Sequence, residues 1–416
     1  MQNIRNELNI EETKDFLNQR KTTYNNATYN LDNVIHLFEK LHCQTLQCPV
    51  IHVTGTNGKG STCAMLESIY RVSGLKTGLF TSPYLISVYE SIKVSNQNIT
   101  EQQFNHLFNQ IYKVANEIES ENPTYRFSFF EYQTAIALLH FIANKVNVVI
   151  LEVGMGGRLD ATNAIQQKTY SVITTISLDH ENILGNTLEA IAREKSGIIR
   201  PNSLVFIGFN INDGPKSVIQ EIASEQHSAI YQPTKIELIF NDQTTDYQNY
   251  NASTAKLVAE KLNDFGQISI QSDSIEKGIR SFHWPARWQK YHYKNKLLIF
   301  DGAHNEEGAV AASYKIKELN EPPTIIFGSN KEGRAKKMLK IFLPISKHIF
   351  ISKSTHERAL DTQKIIGITD FADSEIESIE LADIPKLIES SDEKVFDISG
   401  SLYLIGDVMR LLKLDL

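Results

Sequence analysis

Short, ungapped apolar runs recur along the chain with helix-length segments between them. Val50-Ile51-His52-Val53, Val146 to Leu151, Tyr170 to Ser177 and Leu204 to Ile207 are rich in β-branched residues and lack the polar alternation of a half-exposed strand. Strands buried on both faces of a parallel sheet read this way. Between them, Cys63, Leu66, Ile69 and Tyr70, and then Phe104, Leu107, Ile111 and Val114, fall at helical spacing. The alternation predicts an α/β fold with right-handed crossovers. A second series follows: Leu297 to Phe300, Thr324 to Phe327, His348 to Ser352 and Val395 to Ile398. His283-Trp284-Pro285-Ala286-Arg287 separates the two series and breaks both periodicities. The domain boundary is placed there, giving domains over 1–285 and 286–416. The stretch Gln226 to Gln248 is polar, with only short apolar pieces, and is assigned no element. The chain shows no internal repeat of fixed period.

The length of 416 residues suits two domains. With 41% hydrophobic and 22% charged residues, and 42 Lys+Arg against 49 Asp+Glu for a net charge of −7, the composition is that of an ordinary globular protein. It excludes a collagen, a disordered tail and a strongly basic nucleic-acid binder. Cys43, Cys48 and Cys63 form no CxxC pair and are too few for a disulfide framework, so structural thiols in a reducing compartment are expected. The first twenty residues are polar and charged, without the apolar centre of a signal peptide. No run approaches the roughly 18 apolar residues that span a bilayer. These features predict a cytoplasmic protein with no membrane or nucleic-acid partner.

The strongest local signal is Thr54-Gly55-Thr56-Asn57-Gly58-Lys59-Gly60-Ser61-Thr62, between a buried strand and a helical pattern. Glycines let backbone N–H groups turn inward around a phosphate. The helix N-terminus adds partial positive charge, and Lys59 supplies a full one. The spacing departs from GxxxxGK[ST], since position 53 is Val and Gly60 separates Lys59 from Ser61. A glycine turn that only caps a helix would not need the lysine. The N-terminal domain is therefore expected to resemble a P-loop NTPase, and the smaller C-terminal one a Rossmann-like α/β unit. A phosphate loop alone leaves GTPases, transport ATPases, kinases and ligases open.

Strand Val146 to Leu151 runs into Glu152-Val153-Gly154-Met155-Gly156-Gly157-Arg158-Leu159-Asp160-Ala161-Thr162-Asn163. A carboxylate at the C-terminal end of a parallel strand beside a phosphate loop is where a Mg²⁺ ligand is expected. The next strand ends in Ser177-Leu178-Asp179-His180, at the same sheet edge. Singly, Glu152 reads equally as a surface carboxylate and His180 as a loop histidine; their recurrence at successive strand ends favours a site. Lys195, at a helix end before Gly197, reads from position alone as a cation favoured by the helix dipole.

In order, the chain carries TGTNGKGST, TSPYL (Thr81 to Leu85), FEYQT (Phe130 to Thr134), EVGMGGRLDATN, SLDH…LG…IAREKSGII and FDGAHN (Phe300 to Asn305). These motifs, spread over both domains, resemble the folylpolyglutamate synthase/dihydrofolate synthase family, relatives of the Mur ligases. The resemblance runs from about residue 20 to Arg410. It implies ATP- and Mg²⁺-dependent ligation of L-glutamate onto a folate or dihydropteroate carboxylate through an acyl phosphate, by a monomer with one or two Mg²⁺. By resemblance, Gly55, Thr56, Asn57, Gly58, Lys59, Gly60, Ser61 and Thr62 hold ATP. Ser82, Glu152 and His180 match magnesium positions. Lys195 matches a lysine carried as a carbamate, which reverses the positional reading. Asn251 matches an adenine-side asparagine, Arg287 and Asp301 match residues that reach the nucleotide from the C-terminal domain, and His304 lies at the glutamate end. Ser82, Phe130, Thr134, Arg158, Asp160 and Asn163 match acceptor-side contacts. Lys59, Lys195, His180 and His304 are the catalytic candidates.

Departures from the family pattern cluster near the acceptor and the domain boundary. Tyr84 stands where His is usual, Ser91 where an arginine is usual, and Pro285-Ala286-Arg287 where Pro-Gly-Arg is usual. A Mur-like ligase for another carboxylate, or a nucleotide-binding paralogue without catalysis, would also tolerate such changes. The first is disfavoured because the phosphate loop begins near residue 54, leaving no room for a UDP-sugar domain. The second is disfavoured by the retained Lys59, Glu152, His180, Lys195, Asp301 and His304. Lys331, Arg334, Lys336, Lys337 and Lys340 read as a solvated helix face, with attraction of polyanionic glutamate tails as the other reading.

Overall fold

The first sheet is laid down as β1 (Val50–Thr54), β2 (Thr77–Phe80), β3 (Ile92–Val94), β4 (Gln97–Asn98), β5 (Val148–Glu152), β6 (Tyr170–Ile173), β7 (Leu204–Ile207) and β8 (Ala229–Tyr231). In space the order is β4-β3-β2-β5-β1-β6-β7-β8. Strands β2, β5, β1, β6, β7 and β8 are parallel, while β3 and β4 add an antiparallel edge ribbon. β1, β2, β5 and β6 are buried at every residue, which is why their sequences are ungapped apolar runs rather than alternating ones. The register sets Val53 opposite Glu152 and Thr54 opposite Ile173. Parallel direction then brings Gly55, Thr81, Glu152 and Thr174 out at one edge, the usual place for a ligand on such a sheet.

The apolar run from Tyr170 does not continue as a strand to Ser177; β6 stops at Ile173. Beyond it the Thr174 N–H still donates to Thr54 O, but the two threonine hydroxyls turn to the phosphate loop instead of the ladder. The helix Lys59–Val72 is buried at every residue from Gly60 to Tyr70, so it is a core helix rather than a one-faced one. Gly278 of the helix Ser272–Ser281 packs on it so closely that a Cβ would lie 2.4 Å from the Ile69 Cα.

The second sheet comprises β9 (Gln289–Tyr293), β10 (Lys296–Phe300), β11 (Thr324–Phe327), β12 (His348–Ile351), β13 (Ile376–Ser378) and β14 (Val395–Ser399), in the order β13-β12-β11-β14-β10-β9. All neighbours are parallel except β9, which pairs antiparallel with β10 at the edge. Gln289-Lys290-Tyr291-His292-Tyr293 alternates exposed and half-buried positions, an edge pattern without an apolar run to announce it.

This computed structural model describes residues 7–21, 31–240, 246–368 and 376–414. The chain divides into two units, one of Met1–Ile239 and Gln248–Phe282, the other of Phe240–Tyr247 and His283–Leu416. The polar stretch from Gln226 therefore contains β8 and a crossing into the second unit, with residues 241–245 outside the described residues. Among the described residues no helix is long and apolar enough to cross a membrane.

Candidate active site

In the first unit the phosphate loop is built by its neighbours as much as by its own glycines. Thr56 N–H donates to Thr175 O at 2.9 Å, Asn57 N–H to Thr175 Oγ1 at 2.9 Å, and Thr174 Oγ1 to Asn57 O at 2.6 Å. Gly55 (φ +150°) passes so near β6 that a Cβ would lie 1.9 Å from Thr174 Oγ1. Gly58 has φ +85° and caps the helix Lys59–Val72; its Cβ would lie 2.3 Å from Asn251 Oδ1. Lys59 bends back, donating to Gly55 O at 3.0 Å and Thr56 O at 3.2 Å, so its charge sits in the mouth of the loop. The buried Thr62 hydroxyl has no hydrogen-bond partner. Asn251 donates to Gln248 Oε1, and Gln248 reaches Ser61 Oγ at 3.5 Å. The structure thus gathers Gly55 to Thr62 with Asn251.

Glu152 ends β5 buried, accepting from Ser82 N–H at 3.1 Å. This joins two of the predicted magnesium positions directly. His180 lies at the same edge in a left-handed conformation (φ +52°), with Nε2 3.9 Å from Asp179 Oδ2. Among the described residues no three His, Cys, Asp or Glu side chains converge as a metal cage. Cys63 is fully buried, and burial followed by the Glu152 charge pushes its thiol well up, which makes it inert.

Lys195 is buried at 4% exposure in the last turn of the helix Leu188–Ser196. Burial first, then the Lys59 charge, hold its pKa well below the usual lysine range, opposed by Asp160. A lysine that only complemented the helix dipole would be solvated. The loop after Glu152 packs against this helix end: Arg158 N–H donates to Glu194 O, and a Cβ on Gly157 would lie 2.8 Å from Lys195 O.

The acceptor-side candidates divide. Asp160 is buried, and its oxygens accept from Met155 N–H, Thr162 N–H and Thr162 Oγ1 at 2.5–3.0 Å. Asn163 Nδ2 donates to Arg158 O and Gly197 O. Thr134 Oγ1 donates back to Phe130 O within its helix. These three shape the loop and helix with the atoms the resemblance assigned to substrate. Arg158 is exposed, paired with Glu194 at 2.9 Å. The Phe130 ring lies 5.7 Å from Phe80 and covers Gly154.

Sequence reasoning missed Lys21. Its Nζ donates to Tyr84 Oη at 3.1 Å and stands 5.4 Å from the Phe129 ring centroid. Tyr84 is one of the departures, and Ser91, another, is buried. Nothing in the sequence signals the pairing, because 63 positions separate Lys21 from Tyr84.

In the second unit, Asp301 follows β10 buried and accepts from Trp288 N–H at 2.9 Å and Ala303 N–H at 3.0 Å. Its carboxylate therefore braces the turn that carries Arg287. Ala286 in that turn is left-handed (φ +56°), where the family pattern places glycine, and Arg287 Nη1 donates to Ala286 O. His304 Nδ1 donates to Gly302 O at 2.9 Å. At the C-terminal ends of β11, β12 and β14, the buried Asn330 Oδ1 and the hydroxyls of Ser352, Ser354 and Ser401 have no hydrogen-bond partner. Such orphans mark a polar surface awaiting a ligand or water. Serines after apolar runs were the available signal.

The Mur ligase middle domain profile matches residues 53–272. The chain is 31% identical to the dihydrofolate synthase/folylpolyglutamate synthase of Bacillus subtilis over 395 residues, covering 87% of this chain and 90% of that protein. The folylpolyglutamate synthase of Thermotoga maritima is similar at TM-score 0.80 and 26% identity, over 97% of this chain and 96% of that one. Escherichia coli FolC, solved in complex with DHPP and ADP, is similar at TM-score 0.82 and 25% identity, over 96% of this chain and 97% of that one.

Proposed function

The chain belongs to the folylpolyglutamate synthase/dihydrofolate synthase family, and from that premise we propose that it joins L-glutamate to dihydropteroate, to a folate, or to both. It is an ATP-dependent ligase. In the first step an acceptor carboxylate oxygen takes the γ-phosphoryl group and ADP leaves. In the second the glutamate amine attacks the acyl carbon, the C–N bond forms, phosphate leaves with the C–O electrons, and the nitrogen gives up a proton. Division in this way replaces one difficult condensation by two feasible displacements.

The roles below are our assignment. The N–H groups of Gly55 to Thr62 and the Lys59 ammonium cradle the phosphates, with Asn251 beside them toward the base. Glu152, Ser82 and His180 fit Mg²⁺, which is held mainly by nucleotide phosphates and water and needs only one or two protein carboxylates. An ion held by these residues would offset charge on the transferring phosphoryl group.

Lys195 carries the reading furthest. Burial, then the neighbouring Lys59 cation, make this amine give up its proton far more readily than an ordinary lysine. A neutral amine adds CO₂, forming an N–C bond and releasing a proton, and the Lys59 charge that disfavours the ammonium favours the resulting carbamate anion. We assign that anion to a second Mg²⁺. On the acceptor side, Lys21 and Tyr84 supply the cation that Ser91 lacks, Phe130 an apolar face, and Arg158 an exposed one. The free hydroxyls of Ser352, Ser354 and Ser401, with His304, suit a dicarboxylate amino acid. Three free cysteines support a reducing, cytoplasmic setting, and we assign a monomer.

The test is ADP release by the purified protein with Mg²⁺-ATP, with dihydropteroate or tetrahydrofolate, with and without L-glutamate. Release that requires both acceptor and glutamate, with a product one glutamyl unit heavier, is expected. Tight ATP binding without turnover on either acceptor would overturn the folate assignment.

A further inference from the structure

His52 stands in the middle of β1, fully buried, two residues before the phosphate loop begins at Thr54. Nothing in the reaction above uses it. Its Nε2 lies 2.7 Å from Thr162 Oγ1, and Thr162 Oγ1 lies 2.5 Å from Asp160 Oδ1. Asp160 receives only donors here: Thr162 N–H at 3.0 Å on the same oxygen and Met155 N–H at 3.0 Å on the other. The single Thr162 proton is therefore directed to Asp160, and His52 must supply Nε2–H to the Thr162 oxygen. The tautomer follows. Nδ1 is left a bare acceptor, and it has no partner. Burial, then the Arg200 charge, push the His52 pKa down to about 3, so the ring stays neutral across the working range.

The result is a hydrogen-bond chain that converges on Asp160: His52 donates to Thr162, Thr162 donates to one Asp160 oxygen, and the Met155 amide donates to the other. It crosses from β1 to the glycine loop that leaves Glu152. We propose that His52 is a positioning residue for acceptor binding: by fixing Thr162 and Asp160 it sets the backbone of Gly154–Gly157, which Phe130 covers and which leads into Arg158, the two groups assigned to the acceptor side. A valine or leucine would satisfy β1 equally well as packing, so the polar ring is there for what it holds. The inference rests on the folate-ligase reading only in naming the acceptor; the hydrogen-bond chain stands apart from it.

The test uses the full-length protein and two pairs of variants. His52→Leu and Thr162→Val break the chain; His52→Gln keeps a donor where Nε2 lies, and Thr162→Ser keeps the hydroxyl. Loss of one such bond is expected to raise the acceptor KM about tenfold, with the ATP KM within about twofold and both conservative variants near wild type. Hydrogen exchange at the Met155 amide, read without any substrate, should accelerate about tenfold in Thr162→Val and not in Thr162→Ser. An unchanged acceptor KM and unchanged exchange in Thr162→Val would overturn the proposal. So would equal damage in the conservative pair, which would mark a packing role. If His52→Leu does not fold, the Thr162 pair decides. If wild type turns over neither folate acceptor, the function reading fails while the exchange result still judges the chain.

Discussion

Gly58→Ala tests whether the phosphate loop is held by conformation and not merely by composition. Two penalties can be read from the structure. At φ +85° an L-residue occupies the left-handed region, which costs roughly 1–2 kcal/mol relative to glycine. The new Cβ would also lie 2.3 Å from Asn251 Oδ1, so Asn251 must turn away and give up its bond to Gln248, about 1 kcal/mol more. The sum is about 2–3 kcal/mol. Where it appears depends on the loop. A loop that keeps its shape shows the penalty as lost stability; one that relaxes must be restored on binding, and shows it as a Kd for ATP weaker by about 30- to 150-fold. Denaturant unfolding and titration calorimetry together capture both shares. On an Asn251→Ala background the clash is absent, and Gly58→Ala should cost only the conformational part. A summed loss below about 1 kcal/mol, or the same loss on both backgrounds, refutes the account.

Three further outcomes are expected. Glu152→Gln keeps an oxygen to accept from Ser82 N–H but removes the charge, so the Mg²⁺ concentration for half-maximal activity should rise at least about tenfold with little change in Tm; an unaltered Mg²⁺ requirement would remove Glu152 from the metal site. Lys315, buried between the Tyr247 and Trp288 rings, has its pKa pushed down to about 8 by burial. Above about pH 8 the native state has lost a proton that the unfolded chain holds to its ordinary 10.5, so this group makes stability rise with pH across that window, by up to about 3 kcal/mol. Urea unfolding of wild type against Lys315→Met should show a difference that grows from pH 8 to 10.5, and a flat difference would refute it. On the helix Glu332–Phe342 and its cap, Lys331→Gln with Lys340→Gln should raise the KM of long-chain folate polyglutamates about two- to fivefold, and an equal effect on monoglutamates would end the idea of tail attraction.

Burial on both faces is the reason so much of the two sheets was legible. A strand such as Val50–Thr54 or Thr324–Phe327 has no solvent face, so it carries an uninterrupted apolar run that periodicity detects. Most strands that escaped notice lack that constraint: β9 is a polar edge, and β3 and β4 form a short ribbon. β2 is buried but only four residues long with a glycine inside it, too short a run for periodicity to detect. The overlong reading of Tyr170 to Ser177 has a related cause: Thr174 and Thr175 are β-branched and look like strand residues, but their hydroxyls serve the phosphate loop. Local sequence also favoured a solvated Lys195, because burial at a helix end is decided by a loop from elsewhere packing over it. Lys21 beside Tyr84 was invisible for the same reason.

The two aspartates of the motifs, Asp160 and Asp301, separate recognising a residue from knowing its work. Each was assigned to a ligand by resemblance, and each places both oxygens on backbone N–H groups of its own unit. A carboxylate used in this way fixes a turn that has no regular ladder, since one side chain satisfies two amides that the turn leaves unpaired. Asp160 does so for the loop carrying Arg158, and Asp301 for the turn carrying Arg287. In both cases the acid holds the backbone from which the cation projects. Ala286 tolerates φ +56° because Asp301 bonds the peptide two residues on. A turn clamped from outside can carry a strained residue that a free turn would reject.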